Sequence, residues 1–504
     1  MTAANRAAAP RTPVDAWTAA AVLMAVAAMV FHAFMPTKDD ISWLITNAEA
    51  LLDSKELYKD IIETNPPLSV LLYLPAVLVE RLTGLRAELA TVVMIGLIGL
   101  GIARVVRRRL NAAGAEGGGR LEAVVVLVFL VLPLGAYGQK DQVAALIALP
   151  FFVELMLLAE QRGRPSIAAG VLAGLCVAVK PHFVLAVLFP CLWLAARAWR
   201  TGSGSWLTPL FNPGTIAAGI TVVAFQGFVY LAFPTFFRDV LPMVLAVYVP
   251  IRAPLEALLV ADKGFLFVVL LAVAWLYGSR TPLAGVLAAA GLGFFAAYLL
   301  QAKGWPYHLF PATGYGLLLL FGDVLPHAWA GRQGRPPLIA VTMAALILAM
   351  HSLWMMVTWI DWSPLTRAIV ATGIDQPTVL NIAASHDVGH PSTRDAGGRW
   401  VGTFSCRWLT VMAYNARPDG GADDQALAAW IAHDRAVLRR DIAERRPDVI
   451  LVDRRDNFDW LAWAREDPDT ARLLDGYRPA GRVAGQGGTG GIDLLRRADA
   501  GSAG

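Results

Sequence analysis

The chain has 504 residues, of which 56% are hydrophobic and 16% are charged, and its net charge is +4. Soluble proteins carry about 25% charged residues, so this composition excludes a disordered chain and favours a multi-span membrane protein over a soluble enzyme. The small, scattered positive charge indicates no nucleic-acid partner, and the three cysteines have neither a disulfide nor a zinc spacing.

The charged residues are unevenly distributed along the chain. Residues 361–504 contain 38 of the 82 Asp, Glu, Lys and Arg residues. The first 360 residues contain long apolar runs instead. We therefore expect two domains: a transmembrane domain over 1–360 and a water-soluble domain over 361–504.

The apolar runs predict about eleven membrane-spanning helices, each of which needs roughly 20 apolar residues. One run, 66–83, begins with two prolines and ends with Glu80 and Arg81. We expect it to lie at the membrane surface rather than to cross the membrane. The twelve runs, some of them short, are 16–36, 66–83, 88–106, 121–137, 142–160, 166–180, 182–199, 213–233, 264–279, 281–300, 306–325 and 337–360.

Arginine-rich linkers predict the orientation, because loops rich in Lys and Arg remain in the cytoplasm. With eleven spans, these linkers all share a side with the N-terminus, and all seven lysines fall on or near the opposite side. We expect a cytoplasmic N-terminus and an outer C-terminal domain. The Ala- and Arg-rich composition favours a bacterial inner membrane facing a periplasm. The arginines used are those of linkers 104–120, 162–164, 197–200 and 332–335, with Arg6, Arg11 and Arg280.

The first outer loop, over 37–87, is the longest loop of the membrane part. Asp39 and Asp40 lie where the first span meets water, and Glu63 and Asn65 precede the two prolines of the surface segment. Carboxylates at a membrane surface can act as general bases toward a hydroxyl group. The alternative is that Asp39 and Asp40 only cap a helix at the interface.

Four further outer turns each contain a cation or an imidazole. A single lysine at the end of a span is common, but the repetition in four turns indicates a site for a phosphate or diphosphate. The predicted phosphate-binding residues are Lys140, Lys180, His182, Arg238, Arg252, Lys303 and His308. The residues predicted to line a substrate cavity are Asn65, Gln139, Asp141, Gln301 and Tyr307.

The C-terminal region is typical of an α/β domain, with short apolar runs and a long charged helix. His386, Asp387 and His390 resemble a metal-ligand cluster, but a polar loop after a strand is the simpler interpretation. No metal site and no cofactor are predicted, and a divalent metal is left open. The predicted elements are strands over 378–384, 447–453 and 491–497 and a helix over 423–446.

These motifs resemble the GT-C superfamily of integral-membrane glycosyltransferases that use polyprenyl-phosphate sugars. The pattern is similar to that of protein O-mannosyltransferases and lipid A aminoarabinose transferases. The resemblance rests on the pair Asp39-Asp40 after the first span, the long first outer loop, and the stretch from Glu63 to Leu68 with its two prolines. It covers most of 15–360 and, more loosely, the outer C-terminal domain. Relatives often have Glu as the second acid, so the resemblance leaves open whether Asp39 or Asp40 is the base.

The resemblance implies an α-helical polytopic membrane protein of the GT-C type with a C-terminal α/β domain on the outer face. It implies transfer of a sugar, with inversion, from a polyprenyl-phosphate donor to a hydroxyl group of a lipid, glycan or protein. Asp39 is the implied general base, with Asp40 and Glu63 as further catalytic residues. The cations would stabilise the lipid phosphate that leaves.

Two alternatives belong to other functional classes. A transporter or flippase for a lipid-linked saccharide would place ionisable residues near the middle of the membrane and often contains internal repeats. Few charged residues lie within the predicted spans, and no clear repeat is visible. A non-catalytic scaffold or sensor would leave the shared position of the acids and cations without an explanation. The glycosyltransferase interpretation is therefore favoured.

Overall fold

The computed structural model describes residues 15–330, 338–357, 359–416, 424–456, 458–485 and 490–500. Within these residues the protein is mostly helical, and a small sheet lies near the C-terminus. Arg6, Arg11 and linker 332–335, which were used to predict the orientation, lie outside the described residues.

The helices of the membrane part follow the apolar runs of the sequence. Seven described helices are long and apolar enough to cross a membrane, and three shorter apolar helices accompany them, so the chain is a multi-pass membrane protein. The count of eleven spans stays a prediction. The helices are α1 Ala16–Phe34, α2 Asp39–Leu52, α3 Leu68–Leu71, α4 Leu74–Thr83, α5 Ala87–Ala112, α6 Gly118–Val126, α7 Lys140–Ala159, α8 Ile167–Val179, α9 Val184–Thr201, α10 Pro213–Ala232, α11 Leu241–Met243, α12 Phe265–Tyr277, α13 Pro282–Gln301, α14 Pro306–Leu319, α15 Leu325–Ala330 and α16 Leu338–Val357.

Short π-helical and 3₁₀ turns extend several of these helices. The predicted span 121–137 is made of α6 followed by a π-helical turn and a 3₁₀ turn, and the surface segment 66–83 is broken into α3 and α4. The π-helical turns are Leu127–Val131, Phe236–Val240, Val244–Tyr248, Ala257–Ala261 and Leu320–Val324, and the 3₁₀ turns are Leu134–Ala136 and Pro181–Phe183.

Polar residues at the helix starts explain where several spans begin. The Ser166 hydroxyl accepts a hydrogen bond from the Ala169 amide at the start of α8, over 3.3 Å. Asn212 caps α10 in the same way and is followed by Pro213, which favours the first helical position. These caps satisfy amides that would otherwise lack a partner.

Two sets of charged residues lie at opposite ends of α1. At its first end, Arg107 pairs with Asp15 and with Glu122, the latter at 2.8 Å. At its other end the chain enters α2, which begins with Asp39 and Asp40. Arg104 and Arg107 of linker 104–120 therefore lie at the end of the helical bundle opposite to the acidic pair.

The C-terminal region contains a five-stranded sheet in the order β2-β1-β3-β5-β4. Strands β2, β1 and β3 are parallel, and β5 is antiparallel to both β3 and β4. The strands are β1 Thr378–Ile382, β2 Arg399–Trp400, β3 Val449–Asp453, β4 Tyr477–Ala484 and β5 Gly491–Arg497. The helices are α17 Ser363–Val370, α18 Ser392–Asp395, α19 Trp408–Asn415, α20 Asp424–Arg445, α21 Trp460–Arg465 and α22 Pro468–Leu474.

The sheet domain docks on the first outer loop through ion pairs and backbone hydrogen bonds. Arg394 of α18 contacts three carboxylates, those of Glu49, Glu80 at 3.2 Å and Glu88 at 2.6 Å. The Ile62 amide donates to the Thr403 carbonyl over 2.8 Å. The contacts fix this domain against the end of the helical bundle that carries the acidic pair.

Candidate active site

A cavity of about 360 Å³ lies between this end of the bundle and the sheet domain. In the membrane part, its lining comes from the start of α2, the loop before α3, the turns before α7 and α14, the turn after α8 and the π-helical turn Val244–Tyr248. In the sheet domain, it comes from two loops and α19. Eight residues predicted from the sequence line it: Asp39, Asp40, Glu63, Asn65, Gln139, Lys180, Tyr307 and His308.

The two adjacent aspartates have different partners. Both belong to the first turn of α2, where the helix dipole favours negative charge. The Asp40 carboxylate accepts a hydrogen bond from Lys140 over 2.7 Å. The Asp39 carboxylate lies 3.2 Å from Nε2 of His386, which belongs to the sheet domain.

The ion pair between Asp39 and His386 changes the acidity of both groups. Burial acts to raise the pKa of Asp39, but the charge and hydrogen bond of His386 outweigh burial and hold this pKa well below its usual range. Burial acts to lower the pKa of His386, but Asp39 outweighs it and the pKa of His386 lies well above its usual value. The pair is therefore ionic at neutral pH.

Glu63 is held by donors on both carboxylate oxygens. The Trp43 indole donates to one oxygen over 2.6 Å, and the Asn65 amide donates to the other over 2.9 Å. The side chain is buried, with 3% of its surface exposed. These contacts orient Glu63 in the cavity wall.

Two buried lysines stand beside the ring of Tyr307. The Nζ atoms of Lys140 and Lys180 lie 5.3 Å and 5.5 Å from the ring centroid, within the range of cation–π contacts. Lys180 also pairs with Asp141 over 2.8 Å. The neighbouring His308 is buried, and its Nδ1 atom has no hydrogen-bond partner among the described residues. The cavity wall thus offers an ammonium group and an imidazole nitrogen.

Lys303 lies behind the cavity wall. Its Nζ atom is 4.1 Å from the ring centroid of Tyr248, a residue that lines the cavity, and it donates to the carbonyls of Tyr248 and Ile251. No carboxylate pairs with it in the described part of the chain. Burial lowers the pKa of Lys303 to about 8, and the charge of Arg252 acts in the same direction.

The remaining predicted residues do not line the cavity. His182 and Gln301 contact each other, and Arg252 donates to the Leu300 carbonyl over 3.0 Å. Arg238 is exposed and pairs with its neighbour Asp239 at 2.8 Å. Its side chain is occupied at the surface, so the structure does not bring Arg238 to the other cations.

Comparisons with known proteins give matches among solved structures only. No family model and no curated protein matches the chain. The chain is similar to ArnT from Cupriavidus metallidurans, with 14% identity in the form bound to undecaprenyl phosphate, 13% in the apo form, and a TM-score of 0.48 for both. These alignments cover 95% of this chain and 97% of ArnT.

A second similar structure is the Archaeoglobus fulgidus oligosaccharyltransferase, tethered with an acceptor peptide containing the NVT sequon. It is 13% identical with a TM-score of 0.41, over 94% of this chain and 74% of that chain. At these identities and TM-scores, neither structure assigns a role to any residue of this chain.

The sheet domain supplies cavity residues that the sequence did not indicate. They are Ser385, His386, Ser405, Cys406, Trp408 and Met412. The only sequence signal was the cluster ASHDVGH, whose polar residues diverge in the structure. Asp387 pairs with Arg455 at 2.9 Å, and His390 packs against Trp43. No group of three metal-ligating side chains occurs among the residues that the structure describes.

Proposed function

We propose that the protein is a membrane glycosyltransferase that moves a sugar from a polyprenyl-phosphate donor to a hydroxyl acceptor. The observation that supports this proposal most strongly is the composition of one cavity at the end of the helical bundle. It contains the Asp39 carboxylate together with the Lys180 ammonium group and the His308 imidazole. Such a set can remove a proton from a nucleophile and stabilise an anionic leaving group.

We assign activation of the acceptor to Asp39. In the proposed step its carboxylate takes the proton of an acceptor hydroxyl, whose oxygen forms a bond to the anomeric carbon. The bond from that carbon to the lipid phosphate breaks, and its electron pair leaves with the phosphate. Attack from the face opposite to the leaving group inverts the anomeric configuration.

The donor half needs positive charge where the phosphate leaves. Lys140 and Lys180 are both paired with carboxylates, so part of their charge is already balanced. Among the described residues, Lys303 donates to carbonyl oxygens and lies beside an aromatic ring without a carboxylate partner, so its charge is the least balanced of the three. We therefore propose that Lys180 and His308 bind the phosphate from the cavity wall beside Tyr307, and that Lys303 and Lys140 add positive charge from behind this wall.

The same proposal concerns where the acceptor enters and which side of the membrane the cavity faces. The cavity is lined by both the bundle end and the sheet domain, and we propose that a lipid, glycan or protein hydroxyl enters along the sheet domain. We propose that this side is the periplasmic face of a bacterial inner membrane and that the domain boundary lies near residue 360. Hexosyl and pentosyl donors are both compatible with the cavity of about 360 Å³.

Reconstitution with a labelled polyprenyl-phosphate sugar tests the proposal. The protein in lipid nanodiscs, supplied with a membrane glycolipid extract, should release polyprenyl phosphate and label an acceptor. Asp39→Asn should lower the rate by at least about 100-fold, the lower end of the usual effect of a general base. Glu256→Gln, a change at an exposed carboxylate outside the cavity, is the matched control.

Two results would contradict the proposal. The first is near-normal turnover by Asp39→Asn protein whose thermal unfolding matches the wild type. The second is movement of intact lipid-linked saccharide across the bilayer without release of polyprenyl phosphate, which would identify the protein as a transporter or flippase.

A further inference from the structure

The sheet domain contacts the helix that carries the acidic pair at both of its ends. At the start of α2, His386 lies 3.2 Å from the Asp39 carboxylate. In its last turn, Glu49 pairs with Arg394. Both contacts come from the segment that follows β1, since His386 lies four residues after this strand and Arg394 lies in α18. The position of α2 therefore depends on the sheet domain.

The same domain also holds the loop that contains Glu63. The amide of Ile62 donates to the carbonyl of Thr403. Thr403 is itself fixed, because its amide and hydroxyl donate to the buried Asp441 carboxylate over 2.8 Å and 2.7 Å. Two acids of the cavity thus take their positions from contacts made by the sheet domain.

We propose that the C-terminal domain is an integral part of the active site, in which His386 is a positioning residue that orients the Asp39 carboxylate through a direct ion pair. This inference rests on the proposed function, because it gives His386 a role in the step assigned to Asp39. With Oδ2 of Asp39 held by Nε2 of His386, the carboxylate has one orientation relative to the cavity.

The other titratable groups near the pair do not replace His386. Lys38 precedes Asp39 in the chain and contributes to its ionisation, and the Cys406 thiol contacts the His386 ring. Burial and the charge of His386 lower the pKa of His390 to about 3, so this second imidazole is neutral at the working pH. His386 is the imidazolium that directly faces Asp39.

Replacement of His386 should affect the chemical step more than donor binding. We expect His386→Gln to lower kcat by about 100-fold, since a misplaced base loses most of its effect. The donor KM should stay within about twofold, because the phosphate-binding groups are unchanged. His433→Gln, a change at an exposed histidine of the same domain, should leave both constants unchanged.

The pH profile separates positioning from a merely structural role. Burial acts to raise the pKa of Asp39 and the charge of His386 opposes it, so removal of this charge should raise that pKa. The acidic limb of kcat should therefore move to higher pH in His386→Gln. An acidic limb that stays in place, or an equal loss of kcat in His433→Gln, would overturn the proposal.

A measurement without catalysis tests the ion pair itself. Histidine-labelled protein in nanodiscs, observed by NMR, should give a His386 titration midpoint that falls in Asp39→Asn, because the close opposite charge that raises it is lost. An unchanged midpoint would overturn the proposal even if transfer is observed. If the wild type transfers no sugar but the midpoint falls, the proposed reaction fails while the pairing of the domain with Asp39 stands.

Discussion

The Nζ atom of Lys140 lies 2.7 Å from Oδ2 of Asp40, and only 1% of the lysine side chain is exposed. This contact joins the start of α7 to the start of α2. It balances the charge of Asp40 with a buried cation, whereas the adjacent Asp39 depends on an imidazole from the sheet domain. The two neighbouring acids are therefore expected to differ in function, with Asp40 contributing mainly to structure and Asp39 to chemistry.

Asp40→Asn should destabilise the protein, because it leaves the Lys140 ammonium group buried without its counter-charge. Loss of one partner of a buried pair costs about 3–5 kcal/mol. Thermal unfolding in detergent should show a clear decrease. Asp239→Asn, which removes an exposed pair with Arg238, should have a small effect. A stable Asp40→Asn protein with abolished transfer would instead favour Asp40 as the base.

Lys303→Ala and His308→Ala should weaken the use of the donor more than the use of the acceptor. Hydrogen bonds to charged groups contribute about 1.5–3 kcal/mol, so each change should raise the donor KM by roughly 10-fold or more. Steady-state kinetics with the donor and the acceptor varied separately would measure this. Unchanged donor kinetics in both variants would remove these residues from the phosphate site.

The use of the donor should depend on pH through Lys303. Burial lowers the pKa of Lys303 to about 8, so its positive charge is present below this pH and is lost as the pH rises through it. We expect the donor KM to rise between pH 7 and pH 9. Lys303→Arg keeps its charge over this range and should flatten the rise. An equally steep rise in Lys303→Arg would assign the titration to another group.

A close contact between glycines should make the packing of α8 on α10 sensitive to small substitutions. A Cβ atom on Gly170 would lie 2.0 Å from the carbonyl oxygen of Gly214, so the two helices would have to move apart. We expect Gly170→Ala to lower stability by about 1–3 kcal/mol. Gly219→Ala, in α10 with open space around the added carbon, is the control. Equal unfolding temperatures would contradict the close packing.

Arg394 should be needed for docking of the sheet domain. It is the shared cation of Glu49, Glu80 and Glu88, and 10% of its side chain is exposed. Arg394→Met should cost about 1–3 kcal/mol, because the partly exposed Glu49 and Glu80 lose the Arg394 cation while Glu88 keeps its pair with Arg86. Limited proteolysis between the two domains should become faster. Arg472→Met, a change in an exposed pair of the same domain, should be cleaved at the wild-type rate.

Much of the fold was predictable because a local run of apolar residues indicates a membrane-spanning helix or a buried strand. The apolar run 88–106 became α5, and the strands over 378–384 and 447–453 became β1 and β3, which are buried along nearly their whole length. Strand β4 was missed, since most of its residues are exposed and its sequence contains Pro479 and Gly481. An exposed edge strand has no apolar pattern to indicate it.

The candidate site was predictable in its membrane half only. The acids and lysines could be assigned to one face because the order of spans fixes the side on which each turn lies. The partner of Asp39 could not be assigned, because His386 lies in another domain and nothing local links the two. Arg238 lies in a predicted outer loop, but its side chain pairs with the adjacent Asp239 and does not line the cavity. The order of spans predicts the side of the membrane on which a residue lies, but not the partner of its side chain.

The contact between Arg394 and Glu88 joins residues that are 306 positions apart in the chain. At a synthesis rate of 5–20 residues per second, the first outer loop emerges roughly 15 to 60 s before the arginine that it binds. We therefore expect the loop to lack its contact with Arg394 during most of membrane insertion. Under the proposed function, a chain released before this arginine should be inserted without a complete catalytic centre and should not consume the lipid-linked donor.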